Sequence, residues 1–518
     1  MKDLPERPHL GHLKKQAKEL LHAYRQRDDA ALARLRAALP AAAGRDDAAI
    51  VALQLRLHDA QSCLAREYGF PSWALLKDYV DAQAAPATDA AALLSRWQLW
   101  TFGAGYHGAK PLLAARLLHE HPQLIAGNAT LACAVGDVAT VRRKIADDAQ
   151  WARTRAPGET MSPLVCACFS GLIQLPPFAQ GIRQTVALLL AAGADPRDTT
   201  IDTTFPDNLL SALYGAAGRN HDAALTRLLL AAGAEPNDNE SLYHAVEADD
   251  ASCARLLLEA GARVSGCNAL YRALDFERPA TLRLLLAHGG DANERAPLGS
   301  PLLHAIRRRR SAEVVRILLD AGADASARTA HGVSAYRLAR RMGLSDVAEL
   351  LHGARVAGDD DDTEAFIAAC ASADQAAVQA MLAQRPRLID ALSFEQLHLL
   401  PDLVAEGADA AARLMVESGW PVAVRGGDWQ ASALNLAVFR GNSVLAAFLL
   451  AHGARHDERH GYNDNVYGTL SFASVAQPIA GGDWLGCAQA LIDSGAPLPD
   501  AHYDFSDDVA EYFAELRA

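Results

Sequence analysis

The chain has 518 residues, past the size at which one hydrophobic core stops growing, so several domains or one long repeat array are expected. Half of the residues are hydrophobic and only 6% aromatic, with Ala and Leu abundant, which favours helix. The formal charge of −13 argues against a general nucleic-acid partner, and no run of eighteen apolar residues suggests a membrane span.

The opening, MKDLPERPHLGHLKKQAKELL, lacks an apolar stretch of signal-peptide type, so no secretory signal is expected. Leu10, Leu13, Ala17, Leu20, Leu21 and Tyr24 fall at helical spacing. Asp28 is placed to cap a second helix that Pro40 ends. A third is expected from Asp46 to Tyr68, stopped by Gly69, and a fourth from near Ser72. Residues 1–83 thus read as a small helical domain, and AQAAPATDAAA, Ala82 to Ala92, as a linker.

From about residue 130 the sequence repeats itself. SLYHAVEADDASCARLLLEAGA, from Ser241, returns as ALYRALDFERPATLRLLLAHGG, from Ala269. Copies end in Leu-Leu or a variant, two residues, then Gly: ALLLAAGADP to Pro196, RLLLAAGAEP to Pro236, RLLLEAGARV to Val264. RLLLAHGGDA, RILLDAGADA, RLMVESGWPV, AFLLAHGARH and QALIDSGAPL follow. Copies open with SPLVCA at Ser162, SALYGA at Ser211, ESLYHA at Glu240, NALYRA at Asn268, SPLLHA at Ser300 and SALNLA at Ser432. Motif, spacing and helix ending together resemble the ankyrin-repeat family, over about 130–500. The resemblance implies an all-α, ankyrin-like solenoid: antiparallel helix pairs with projecting β-hairpin fingers, each pair burying its apolar face only against its neighbours. Tyr214, Tyr243 and Tyr271 stand where the family has a His that holds its own repeat together, so a structural role is expected of them.

Helix lengths are constant: Ala245 to Gly261, Ala273 to Gly289 and Ala437 to Gly453 each span 16 positions. The fingers vary. Gly233 to Leu242 and Gly261 to Leu270 span 9, against 13 from Gly289 to Leu302 and 14 from Gly322 to Tyr336. Two central fingers, at about 235–241 and 263–268, are cut down, either as tolerated loop shortening or as a recess for a ligand. Turns between helices lengthen at Ala167 to Gly193 (26 positions, containing LIQLPPFAQG) and Ala473 to Gly495 (22). GDDDDTE, Gly358 to Glu364, reads as a solvated linker, after which FIAACASADQAAVQAMLAQRPRLI restarts the pattern. The expected organisation is residues 1–83, a first array over 93–355 and a second over 363–518, closed by a capping helix, DVAEYFAELRA.

No motif specifies a reaction. GAGYHGAK, Gly103 to Lys110, has the glycine spacing of a dinucleotide loop without a preceding strand. RHDERHGYNDN offers His456, Asp457, His460 and Asp464, but in a finger rather than on a helix, where paired histidines bind metal. No GxSxG, HExxH or Walker loop occurs, and the eight cysteines form no CxxC pair. The expectation is no enzyme, no cofactor, no metal, and a reduced, cytoplasmic setting; the Ala- and Arg-rich composition hints at a GC-rich bacterial source. RRRR, Arg307 to Arg310, ends a first helix, while Asp275, Phe276 and Glu277 hold the equivalent places one repeat earlier and Glu247, Asp249 and Asp250 two earlier. Acidic and basic turns then stack side by side, as cross-repeat ion pairs or as a bipolar strip that selects a charged partner. The candidate binding residues are Glu247, Asp275, Phe276, Arg307 and Arg308, with Trp429 (in GGDWQ) and Arg440 in the second array. The function these imply is a scaffold binding another protein or peptide by its concave face and fingers, nucleic acid being disfavoured. The alternative is an enzyme whose pocket is built from the insertions and the shortened fingers.

Overall fold

The computed structural model describes residues 4–5, 8–53, 55, 57–84, 90–103, 108–156, 159–202, 205–297, 299–356, 359, 361–476, 478–479 and 481–517. Two compact units divide it: Met1–Ala216 with Ala231–Ala234, and Ala217–Leu230 with Glu235–Ala518. Half of the glycine-spaced stretch at 103–110, and the middle of the expected linker at 82–92, lie outside the described residues.

The first unit opens with helices Leu10–Arg25, Asp29–Ala38, Asp47–Ala52, Leu57–Glu67 and Trp73–Ala84. Leu13, Ala17, Leu20, Leu21 and Tyr24 form the buried face of the first, as their spacing requires. Asp28 caps the second by accepting the Ala31 N–H at 2.8 Å. The helix expected from Asp46 to Tyr68 is instead two, and Tyr24 serves the break. Its buried hydroxyl lies 3.1 and 3.0 Å from the Ile50 and Val51 carbonyls, and it accepts from the Leu55 N–H at 3.2 Å. A hydroxyl brought in from another helix thus meets backbone groups that an ended helix leaves without partners.

Helix pairs follow. Ala129–Val135 pairs with Val138–Asp147, and Pro163–Phe169 with Pro176–Ala191. The lengthened turn after Ala167 becomes a 3-10 turn, Gly171–Gln174, and an extension of the 16-residue helix behind it. That extension brings Gly181 against Gly136 so closely that a Cβ built on Gly181 would stand 2.5 Å from the Gly136 carbonyl oxygen. Only glycine fits on both sides. Among the described residues, the hairpin Thr199–Ile201 with Leu209–Ser211 is the longer of two short sheets.

In the second unit the first helices of successive repeats are Ser241–Ala245, Ala269–Asp275, Pro301–Arg307, Ala335–Arg341, Asp362–Ala371, Leu399–Ala405, Ala433–Phe439 and Val466–Ala476. Second helices run antiparallel behind them, from Ser252–Glu259 to Trp484–Asp493, and Asp507–Arg517 packs on the last. The glycines that end the second helices at 193, 233, 261, 289, 322, 419, 453 and 495 all have φ between +87° and +100°. A residue with a Cβ is strained there.

Repeat openings explain the short fingers. Where the motif begins with Ser, its hydroxyl caps the helix: Ser300 accepts from Leu303 N–H and Ser432 from Asn435 N–H. The two shortened copies begin with Glu240 and Asn268, which provide no such cap. There the chain turns sharply into the helix through Asn239 and Asn268 at φ +68° and +57°, the left-handed region that Asn tolerates. Asp238 takes over as acceptor for the Ser241 N–H at 2.8 Å. Asn237 then stitches the first short finger to the next repeat, accepting from the Arg263 N–H at 2.9 Å. Tyr271 is structural, as expected: its hydroxyl lies 2.9 and 2.8 Å from the Glu294 and Gly299 carbonyls of the following finger.

The acidic stretch at 358–364 is solvated only in part where it is described: Asp361 and Asp362 are exposed, but Asp359 and Glu364 are not. Asp359, only 1% exposed, accepts from Ser334 Oγ at 2.9 Å and Arg337 Nε at 3.1 Å. Glu364 is buried and paired with Arg341 through two hydrogen bonds of 2.8 and 2.5 Å. Helix Asp362–Ala371 therefore packs directly on Ala335–Arg341. Spacing alone could not show this, because the carboxylates that read as a polar run find their guanidinium partners on the preceding repeat.

Candidate functional site

The first helices end on a shared edge, and that edge bears the charges. Around the first three repeats of the second unit the pairs are local. Glu247 accepts from Arg272 Nε at 2.9 Å and His244 Nδ1 lies at the same distance. Two carboxylates, Glu240 and Glu247, outweigh burial and push the His244 imidazole up to about 9. Phe276 carries the Arg272 guanidinium 4.5 Å and the Arg278 guanidinium 5.8 Å from its ring centroid. These residues are engaged with one another.

The arginine run behaves differently. Arg308 donates from Nε to Asp275 at 3.0 Å, from Nη1 to Glu406 at 3.2 Å and from Nη2 to Asp428 at 2.7 Å. Arg307 donates to the other Asp428 oxygen at 3.0 Å, across 121 positions of sequence. Arg310 reaches Glu406 at 3.4 Å. Asp428 stands at the tip of the finger whose strands are Arg425–Gly426 and Ala431–Ser432. A clasp thus joins the end of helix Pro301–Arg307 to a finger four repeats later. It borders a groove of about 690 Å³, lined among others by Leu303, Arg307, Arg308, Leu338, Met342, Leu399, Asp402, Glu406, Trp429, Phe439 and Arg440.

Of the residues singled out in the sequence, Arg307, Arg308, Trp429 and Arg440 share this groove. Asp275 stands behind it, holding Arg308. Glu247 and Phe276 are not among its lining residues. Arg440 is anchored by Asp409 at 2.9 Å and the Val404 carbonyl at 3.2 Å. Trp429 packs its ring 5.6 Å from Phe439 and 5.0 Å from His460, and Phe439 stacks on the half-exposed Phe472 at 6.2 Å. The histidine-rich finger is split between separate tasks: Asp457 pairs with Arg455, His460 packs on Trp429, and Asp464 accepts from the Tyr503 hydroxyl.

The sequence reading missed His398, Asp402 and Glu406. All three line the groove, four positions apart along one helical face. That spacing is visible in HLLPDLVAE, but the copy lacks the repeat's opening motif, which would have set its register. Asp402 is half-buried, open to the groove yet ringed by protein, and it accepts from the Gly427 N–H at 2.8 Å. Burial pushes its carboxyl up to about 6, with Asp428 and Glu406 adding to the rise while the Gly427 amide and Arg307 oppose it. His398 is held below its ordinary value by burial, and its Nε2 is buried without a hydrogen-bond partner among the described residues. The shortened fingers at 235–241 and 263–268 do not line this groove; of the lengthened turns, the later one contributes Ile479.

Residues 213–296 match the family described as ankyrin repeats, in three copies. Among solved structures, the crystal structure of the human ASB11 ankyrin repeat domain aligns over 44% of this chain and 98% of that one, at 23% identity and a TM-score of 0.35. No curated protein matches by sequence. The helix pairs, the glycine-ended second helices and the matched segment agree: the chain carries ankyrin repeats, matched by the family at 213–296.

Proposed function

We propose that this protein is a binding scaffold whose partner, another protein or a peptide, lies in the groove bordered by the Arg307–Arg308–Asp428 clasp. Ankyrin repeats serve generally as protein-interaction scaffolds, and a stack of helix pairs presents a continuous edge for that purpose. The observation that carries the reading is convergence. Arg307, Arg308, Trp429 and Arg440, chosen from two separate stretches of sequence, line one groove with a charged rim and an aromatic wall. Interfaces favour this composition, with arginine and aromatic residues at their centre. Asp275 supports the rim; Glu247 and Phe276 extend the charged strip towards the earlier repeats. Under this reading residues 1–83 are a separate helical domain, and the arrays proposed over 93–355 and 363–518 both contribute to the groove. A cytoplasmic setting suits eight cysteines that are all free thiols. No described helix is long and apolar enough to cross a membrane.

The test is photo-crosslinking in cell extract, with benzoylphenylalanine replacing Gln430 beside Trp429 or, in a second version, Glu313 on a second helix. Discrete protein adducts from position 430 and none from 313 are expected. Equal labelling from both positions, or labelling from 313 alone, overturns the reading.

A further inference from the structure

Among the described residues, three of the four carboxylates lining the groove are paired with arginine. Glu395 meets Arg341 at 3.5 Å, Glu406 meets Arg308 at 3.2 Å, and Asp428 meets Arg308 and Arg307 at 2.7 and 3.0 Å. Every lining arginine is likewise committed to a carboxylate: Arg341 also to Glu364, Arg308 also to Asp275, and Arg440 to Asp409. Asp402 stands apart. It touches no cation within ion-pair distance among the described residues, and the bond it accepts there comes from the neutral Gly427 amide. The same groove supplies Trp429 and Phe439 as a ring wall and Leu399 and Leu436 as apolar floor.

A lone carboxylate beside rings and aliphatic surface calls for one chemical shape: a cationic head on an apolar stem. The stem packs on Leu399 and Leu436 while ring faces attract the head. An acidic ligand has no opening here, since Asp428 already occupies the Arg307–Arg308 pair. We propose that Asp402 receives the lysine or arginine side chain of an extended peptide lying along the groove. This rests on the reading of the groove as a peptide site. A peptide is favoured over a free amine because the groove extends well beyond one side chain, from the finger at 296–299 to Ile479. Phe472, 49% exposed and stacked on Phe439, continues its aromatic wall.

The experiment selects a phage-displayed random dodecapeptide library on the full chain, keeps peptides that no longer bind Trp429→Ala, and measures their affinities by calorimetry. The expected peptides share one Lys or Arg. Changing that residue to norleucine in the peptide, or Asp402→Asn in the protein, lowers affinity about tenfold, the worth of one well-placed charge pair. Both changes together lower it little further, and millimolar spermidine does not displace the peptide. Asp402→Asn keeps the oxygen that accepts from Gly427, and the norleucine peptide tests the pairing on an unaltered protein. Peptides that bind the groove with equal affinity after both changes overturn the proposal, as does an acidic consensus or full displacement by spermidine. Recovery of no groove peptide at all overturns the peptide reading itself.

Discussion

The molecule closes two irregularities in its repeats by opposite means. In the first unit, the lengthened turn after Ala167 is absorbed where Gly136 and Gly181 touch backbone to backbone. In the second, the acidic stretch before Phe366 is absorbed by Arg341 and Glu364, a fully hydrogen-bonded pair shut away from water. One seam is tight because it has no side chains; the other holds because its side chains carry charge. A repeat array depends on nearest-neighbour interfaces. A break in its period therefore needs a specific contact to keep neighbours in register, and sequence period alone does not say which kind.

The charged seam has the larger expected response. Glu364→Ala leaves Arg341 buried without its principal partner, which costs about 3–5 kcal/mol. The loss is expected in the denaturant transition of the second unit, with the first unit's transition unmoved. The double variant Arg341→Met with Glu364→Met is expected to recover most of it, since apolar residues of similar volume often replace a buried pair without penalty. Failure of the double variant to recover would mean that Gln396 and Glu395, which also bond this pair, need it as a polar network.

The glycine seam comes next. Gly181→Ala places a methyl 2.5 Å from a carbonyl oxygen that belongs to backbone and has little freedom to move. Overpacking of this kind costs about 1–3 kcal/mol, here on the first unit's transition. An unchanged transition would show that the two helices slide apart freely, and the contrast between the seams would reduce to charge alone.

Third, the clasp at the groove rim resembles the buried pair in composition but not in exposure. Arg307 and Asp428 are each more than a third exposed. Arg307→Gln is therefore expected to change stability by less than about 1 kcal/mol, read as a near-constant melting temperature. A large fall would make the clasp a third seam rather than a rim.

The sequence carried these features unequally. Glycines ending the second helices were legible because only glycine takes that φ cheaply, and their spacing recovers the helix pairs. The Arg307–Arg310 run was legible as an edge feature, because it ends a first helix. Its partners were not: Glu406 and Asp428 lie about a hundred positions away, and nothing local couples them. Asp402 was invisible for a different reason. Its repeat opens with HLLPDL in place of a Ser-led motif, so its register was not read. The burial of Asp359 was hidden by its neighbours, since GDDDDTE has the composition of a solvated loop and only tertiary pairing with Arg337 and Ser334 overrides it.

Asp402 gives the most selective prediction, because it is the described groove carboxylate that the fold leaves uncompensated where the seams compensate theirs. Its carboxyl titrates near 6 in the folded chain, against about 3.9 in an unfolded one. Between those values the folded state holds a proton that the unfolded state has lost. Stability contributed by this group therefore falls as pH rises from about 4 to 6, and is constant above. A full two-unit gap would correspond to roughly 3 kcal/mol; contact with groove water reduces that to about 1–2 kcal/mol. Arg307, Asp428 and Glu406 act on the group from the neighbouring helix end, the finger and its own helix, and all three persist in Asp402→Asn. Paired carboxylates such as Asp275, held low chiefly by the His304 and Arg308 contacts against the effect of burial, titrate alike in both proteins. The difference between the two stability curves isolates position 402. It is expected to be near zero at pH 4 and to favour the Asn variant by about 1–2 kcal/mol at pH 7. A carboxylate that lowers stability where it sits does not hold the fold together. A flat difference across that range would remove this argument, and with it the contrast between a compensated seam and an uncompensated site.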